Sequence, residues 1–143
     1  MHKQADILII DDSESDTMLM EEAIKDTSLS NSVHIVHAAE DGIKFINKKD
    51  QYENAPTPDL ILLDLNMPGF NGFEFLTIVK EDPQLCAIPV IILSTSTDPK
   101  DISESYRLHA NCFISKPVDF TRFKQIVNVI NDFWLGIAAL PPK

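Results

Sequence analysis

Five short aliphatic runs, evenly spread and separated by segments of helical period, constrain this chain more than any other feature. The runs are "ILII" (7–10), "VHIVH" (33–37), "LILLD" (60–64), "VIILS" (90–94) and "CFIS" (112–115). Four of them are rich in Ile, Leu or Val without polar alternation, as expected of strands covered on both faces. The second alternates and belongs nearer an edge. Between the runs lie amphipathic segments. Residues 14–26 place Leu19, Met20, Ala23 and Ile24 on one face, with Ser13 as cap. Residues 39–49 carry Ile43 and Ile46, and 72–81 carry Phe75, Leu76 and Val79 before Pro83. Residues 99–108 follow Asp98 as cap and Pro99 at the first turn. Residues 119–134 carry Phe120, Phe123, Val127, Ile130 and Trp134 after Asp119. Strands alternating with helices predict an α/β fold, a doubly wound five-stranded parallel sheet.

The chain has 143 residues, enough for one domain over 1–143 with a single core. The segment 47–58 reads as a polar, Pro-broken surface loop, and 136–143, ending in "LPPK", as a loose tail with no output domain. No apolar run approaches the roughly 20 residues of a membrane span. "MHKQADILII" lacks the pattern of a secretory leader. Two cysteines, Cys86 and Cys112, in a chain able to build its own core point to a reducing, cytoplasmic setting, with Cys112 as a small buried hydrophobe. Twelve Lys and Arg against 22 Asp and Glu give a formal charge of -10, which disfavours nucleic acid and anionic membranes as partners.

In open parallel sheets, sites form beyond the carboxyl ends of the strands. Here the first run ends in Asp11-Asp12, the third in Asp64, the fourth in Ser94, and the fifth at Lys116-Pro117. The second, ending in His37-Ala38, offers no obvious chemistry. Taken singly, each has an ordinary explanation: an Asx turn, a polar strand exit, a loop. Together at one sheet edge they bring three carboxylates, a hydroxyl and an ammonium to one place. Carboxylates so grouped repel unless compensated, and a divalent cation such as Mg²⁺ is the simplest remedy. A carboxylate beside such an ion can act as a nucleophile towards phosphorus. Lys116 supplies positive charge for the phosphoryl oxygens, and Ser94 a hydrogen bond. The four histidines have no ligand spacing, and no Gly-rich phosphate loop is present. "PGFNG" reads as turn geometry that leads the chain away from Asp64.

These residues together resemble a known family. "ILIIDDSE", "LILLDLNMPGFNG", "IPVIILSTS" and "FISKP" resemble the receiver domain of two-component response regulators, the flavodoxin-like fold typified by CheY. Thirty positions separate Asp64 from Ser94, and twenty-two more lead to Lys116. The resemblance implies that Asp64 is the phosphoacceptor for a sensor histidine kinase. It implies that Asp12 and Asp64 bind Mg²⁺ directly, with the Asn66 backbone carbonyl, while Asp11 acts in the acidic pocket, often through a metal-bound water. Lys116 pairs with the phosphoryl group, with a cis bond to Pro117. Ser94 is the switch hydroxyl and Phe113 the switch aromatic. Asn66 and Ser96 sit where the family tunes loss of phosphate. Thr95 stands where Ala or Gly is common, which implies narrower access for small donors.

The 47–58 loop, "SYRLHANCFISKP" and "NDFW" resemble the single-domain regulators that partner bacterial phytochrome kinases. The implied function is a phosphorylation-driven switch, not an enzyme, whose 95–118 surface signals to a downstream protein by contact. The alternative is a Mg²⁺-dependent phosphohydrolase with an aspartyl-phosphate intermediate. Asn66 stands where such enzymes carry a second Asp, which argues against turnover. A flavin-binding module is disfavoured by "DDSESD", which repels a phosphate without metal, and a docking-only receiver by the full residue set. The C-terminal "FKQIVNVINDFWLGIAAL" has apolar residues on more than one face, and a homodimer through Phe133, Trp134 or Leu135 competes with simple packing on the sheet.

Overall fold

The computed structural model describes residues 4–25, 31–67 and 71–143. Pro68 and Gly69, expected to turn the chain after Asp64, lie outside the described residues. Five parallel strands run in the order β2-β1-β3-β4-β5, with β1 Asp6–Ile10, β2 Ser32–Val36, β3 Leu60–Leu63, β4 Val90–Ser94 and β5 Cys112–Ser115. This is the flavodoxin-like doubly wound order. The central strands β1, β3 and β4 are buried, as their unbroken aliphatic runs require. The alternating β2 is an edge strand, as its pattern foretells, whereas β5, expected to be covered on both faces, is the other edge and only partly buried.

The helices are α1 Glu14–Lys25, α2 Ala39–Asn47, α3 Gly72–Glu81, α4 Pro99–Arg107 and α5 Phe120–Ile130. Asn71, Asp98 and Asp119 cap α3, α4 and α5 by accepting backbone N–H bonds, and the Ser13 hydroxyl accepts from Asp16. Leu19, Met20, Ala23 and Ile24 of α1 pack with Phe123, Val127 and Ile130 of α5 on one face of the sheet. Phe45 and Ile46 of α2 pack with Phe75, Leu76 and Val79 of α3 on the other. In α4 Ser105 alone is fully buried, its hydroxyl turned back to the Asp101 carbonyl. That helix is therefore held by little apolar burial, and it borders the residues expected to switch.

Several expectations need correction. Phe120 is exposed at the start of α5 rather than part of its packed face, because the buried stripe begins at Phe123. The α5 pattern does not continue as one α-helix to 134. Residues Asn131–Ile137 form a π-helical segment, closed by the Ala138 N–H bond to the Phe133 carbonyl at 2.7 Å. The wider turn returns Leu135 to the packed face carrying Val127 and Ile130, so Leu135 is core and not free for a dimer contact. Phe133 is exposed, and its ring stands edge-on to Trp134 with centroids 5.5 Å apart.

The tail is not loose. Leu140 packs against the α1/α5 core, and Lys143 Nζ bonds Asp6 Oδ2 at 2.7 Å and lies 3.3 Å from Asp59 Oδ2. A pair of carboxylates at the amino edge of the sheet gives the lysine a binding point. The 47–58 loop is also anchored. A 3₁₀ turn at Asp50–Tyr52 sets the Tyr52 ring against Phe45, centroids 5.4 Å apart, and Ala55 packs beside them. Cys112 is half-buried against the α1/α5 core, and that burial raises its thiol pKa. The Lys116–Pro117 bond is trans where the resemblance implies cis; trans is the intrinsically preferred isomer of an X–Pro amide. Among the described residues no helix is long and apolar enough to cross a membrane.

Candidate functional site

Register builds the site. Ile10 pairs with Leu63, so the next residues, Asp11 and Asp64, leave the sheet side by side. Ser94 pairs with Ser115, so Lys116 leaves the edge just beyond Ser94, and its N–H bonds the Ser94 carbonyl at 2.6 Å. Strand ends thus aim the polar groups without any loop having to be ordered for the purpose.

Asp11, Asp12 and Asp64 offer carboxylate oxygens within 4.8 Å of one another. Asp11 and Asp64 are buried and Asp12 is exposed. Asp11 Oδ1 accepts the Ser13 N–H at 2.9 Å, the Asx turn that starts α1. Lys116, only 5% exposed, places Nζ 2.6 Å from Asp11 Oδ2, 2.9 Å from Asp16 Oδ2 and 3.7 Å from Asp64 Oδ2. Asp64 Oδ1 accepts the Asn66 N–H at 3.2 Å. Its Oδ2 lies beyond hydrogen-bond reach of the lysine.

Burial dominates the acidity of Asp64 and, with the nearby charges of Asp11 and Asp12, pushes its pKa up to about 6 against the pull of Lys116 and the Asn66 N–H. Burial alone would lower Lys116. The bond and charge of Asp11, the charge of Asp64 and the bond of Asp16 reverse that and hold the ammonium protonated. With all groups ionised, four carboxylates face one ammonium. The cluster is short of positive charge, and its donors are hard oxygens. The donor set therefore fits a divalent cation of the Mg²⁺ or Mn²⁺ kind.

The remaining predicted residues fall around this core. Ser94 is fully buried, and its Oγ accepts from Asn66 Nδ2 and from the Ser96 N–H, both at 3.1 Å. Ser96 donates to Asp101 Oδ2 at 2.6 Å, tying the β4 exit to α4. Thr95 is exposed at that exit. Phe113 is not part of the acidic cluster. It sits half-buried on β5 against the α2/α3 core, with its N–H donated to the Tyr106 hydroxyl of α4 at 3.1 Å.

Gly72 earns its place by space rather than by turn geometry. A Cβ there would come 2.7 Å from the Asp64 carbonyl oxygen and 2.7 Å from Leu65 Cα. Three contributors escaped the sequence reading: Asp16, which shares Lys116; His37, whose Nδ1 lies 3.1 Å from the Asp11 carbonyl oxygen; and Tyr106. Only Asp16 left a usable signal, an acid one turn after the Asp pair.

Comparison with known proteins agrees with this geometry. The family model of the response regulator receiver domain matches residues 7–128. The response regulator Rcp1 of Synechocystis sp. is 37% identical over 135 residues, spanning 94% of this chain and 92% of that protein. A structure of the phosphorylated cyanobacterial phytochrome response regulator RcpA superposes with a TM-score of 0.95 at 39% identity, covering 98% of this chain and all of that one, 100%. The Mn²⁺-bound form of Rcp1 gives 0.94 at 36% identity over 96% of this chain and 99% of that one. With its sheet order, its acidic strand ends and these likenesses in agreement, the chain belongs to the response regulator receiver domain family, as a response regulator of two-component signalling.

Proposed function

We propose that Asp64 is the phosphoacceptor, and that the chain takes a phosphoryl group from a sensor histidine kinase, of the phytochrome type. The observation that carries this is the buried Asp64 carboxylate at the end of β3, one oxygen fixed by Asn66 and the other directed towards, but not bonded to, the Lys116 ammonium. The partner class rests on the likeness to RcpA, a cyanobacterial phytochrome response regulator.

An Asp64 oxygen attacks phosphorus in line. The O–P bond forms as the P–N bond of the phosphohistidine breaks, and the electron pair leaves with the imidazole nitrogen. Lys116, held protonated, meets the phosphoryl oxygens. Asp11, Asp12, Asp64 and the Asn66 carbonyl would hold a divalent cation, Mg²⁺ in this reading, which supplies charge neutralisation when bound. Ser94 then donates a hydrogen bond from its hydroxyl to a phosphoryl oxygen, and Phe113 follows on β5. The 95–118 surface shifts towards a second population, read by a downstream protein. Exposed Val118, Phe120 and Phe133 give that contact, or one with a second copy, apolar area. This chemistry belongs in the cytoplasm, where such kinases present their phosphohistidine.

The phosphohydrolase reading is not favoured. Asn66 Nδ2 is donated to Ser94, and an amide cannot relay a proton to a leaving group. The test is radiolabelled transfer from a phosphorylated histidine kinase with Mg²⁺. Wild type is labelled, and Asp64→Asn, folded by circular dichroism, is not. Labelling of the variant at the wild-type level sinks the assignment.

A further inference from the structure

Lys116 has more partners than phosphoryl chemistry requires. Its ammonium has three N–H bonds. One goes to Asp11 at 2.6 Å and one to Asp16 at 2.9 Å, while Asp64 Oδ2 waits at 3.7 Å. The phosphoryl oxygens will stand on Asp64, where the third N–H can meet them, and the pull towards that side stretches one of the two present bonds, which now hold the ammonium 3.7 Å from Asp64. Asp11 cannot readily yield. Its side chain is 2% exposed and its other oxygen is fixed by Ser13 N–H. Asp16 can. It lies in the first turn of α1, its side chain is 30% exposed, and water can replace the lysine there.

We propose that Asp16 is a positioning residue that tethers Lys116 on the α1 side of the site and so sets how readily a phosphoryl group is gained and kept on Asp64. The inference rests on Asp64 being the phosphoacceptor. Asp16 and the phosphoryl dianion compete for one buried cation, and Asp16 adds negative charge beside the incoming group. Asp16 therefore acts as a brake, through Lys116, without touching the reacting atoms.

Asp16→Asn keeps shape and removes the charge; Asp16→Glu keeps the charge. Acetyl phosphate with Mg²⁺ serves as donor, its P–O bond breaking as the Asp64 O–P bond forms and acetate leaving with the electron pair. At subsaturating donor, Asp16→Asn reaches a labelled fraction about fivefold above wild type, the ratio one partly exposed ion pair can supply, and loses label more slowly after donor removal. Asp16→Glu returns both towards wild type, which a purely structural role for the residue does not explain. Labelling of Asp16→Asn at or below wild type, or an Asp16→Glu variant that behaves like Asp16→Asn, overturns the proposal. A crystal structure of Asp16→Ala gives a reading independent of any donor: Lys116 Nζ comes within hydrogen-bond distance of Asp64. An ammonium that stays put overturns the tether even if labelling is never seen, whereas absent labelling of wild type with a relocated lysine removes only the phosphoacceptor assignment.

Discussion

Asn66 Nδ2 donates to Ser94 Oγ at 3.1 Å, and the Ser96 N–H donates to the same oxygen. The hydroxyl is thus held as a double acceptor by residues on the β3 and β4 exits, with its own hydrogen left to give. Swinging towards a phosphoryl group must break or stretch both bonds. The residue expected to tune phosphate loss and the residue expected to switch are one unit in the resting protein.

Ser94→Ala separates labelling from switching. Asp64, Lys116 and the proposed metal ligands stay in place, so on that proposal the variant is still labelled. The two donors lose their acceptor, at a cost on the order of 1 kcal/mol, because exposed Asn66 can turn to water. The labelled variant shows much smaller amide chemical-shift changes over 95–118 than labelled wild type. Equal changes in the two proteins remove Ser94 from the switch.

Much of this site was legible in the sequence, for a definable reason. Asp11, Asp64, Ser94 and Lys116 each follow a short aliphatic run, so finding the strands also finds the edge where they meet. The signal of Asp16, an acid one turn after the Asp pair, went unread because an acid in the first turn of a helix is expected anyway, favoured by the helix dipole. His37 was hidden because its ring meets a backbone carbonyl, which no spacing rule encodes. The Lys143 anchor joins residues at opposite ends of the chain, after a Pro-Pro pair that reads as an end to structure. The π segment escaped because its i→i+5 bonding widens the turn and breaks the helical period on which the reading rests.

Asp64 makes the metal-free protein pH-sensitive in an unusual direction. Burial, then Asp11 and Asp12, raise its pKa from 3.8 to about 6. Between those values the folded state binds more protons than the unfolded state, so its contribution to stability falls as pH rises through the window and stays lost above it. Asp64→Asn in chelator is therefore more stable than wild type at neutral pH, on the order of 2 kcal/mol, and the gain shrinks towards pH 4. Added Mg²⁺ raises the melting temperature of wild type more than that of the variant. Urea unfolding at several pH values checks the first claim and thermal scans the second; a variant less stable than wild type at neutral pH contradicts the origin given for the shift.

The tail anchor titrates in the opposite sense. Burial alone would raise Asp6 and lower Lys143, but their mutual hydrogen bond and charge, with help from His34 for Asp6 and Asp59 for Lys143, reverse both. The depressed Asp6 contributes stability above its unfolded value of 3.8, lost as pH falls through the lower folded one. The raised Lys143 contributes below its unfolded value of 10.5, lost as pH rises through the higher folded one. Lys143→Ala therefore costs under about 1 kcal/mol at neutral pH, since the lysine is about a third exposed, and nothing in strong acid. The variant also exposes 138–143 to limited proteolysis. A cost that persists at about pH 2 rules out the ion pair as its source.

Gly72 and Gly42 give paired outcomes that test how closely α3 must approach Asp64. At Gly72 a new Cβ meets backbone, the Asp64 carbonyl oxygen and Leu65 Cα, both at 2.7 Å. Backbone cannot step aside without moving the carboxylate. At Gly42 in α2 the nearest atoms are side-chain tips, Ile10 Cδ1 at 2.8 Å and Phe75 Cε2 at 3.0 Å. Those tips can shift, and alanine gains roughly 1 kcal/mol of helix propensity there. Gly72→Ala loses about 1–3 kcal/mol from overpacking and is labelled more slowly, because Asp64 is displaced from Lys116. Gly42→Ala stays within about 1 kcal/mol of wild type and labels normally. Urea unfolding and acetyl-phosphate labelling of both variants decide the matter. Normal labelling of a destabilised Gly72→Ala would show that the approach of α3 serves the fold and not the position of the carboxylate.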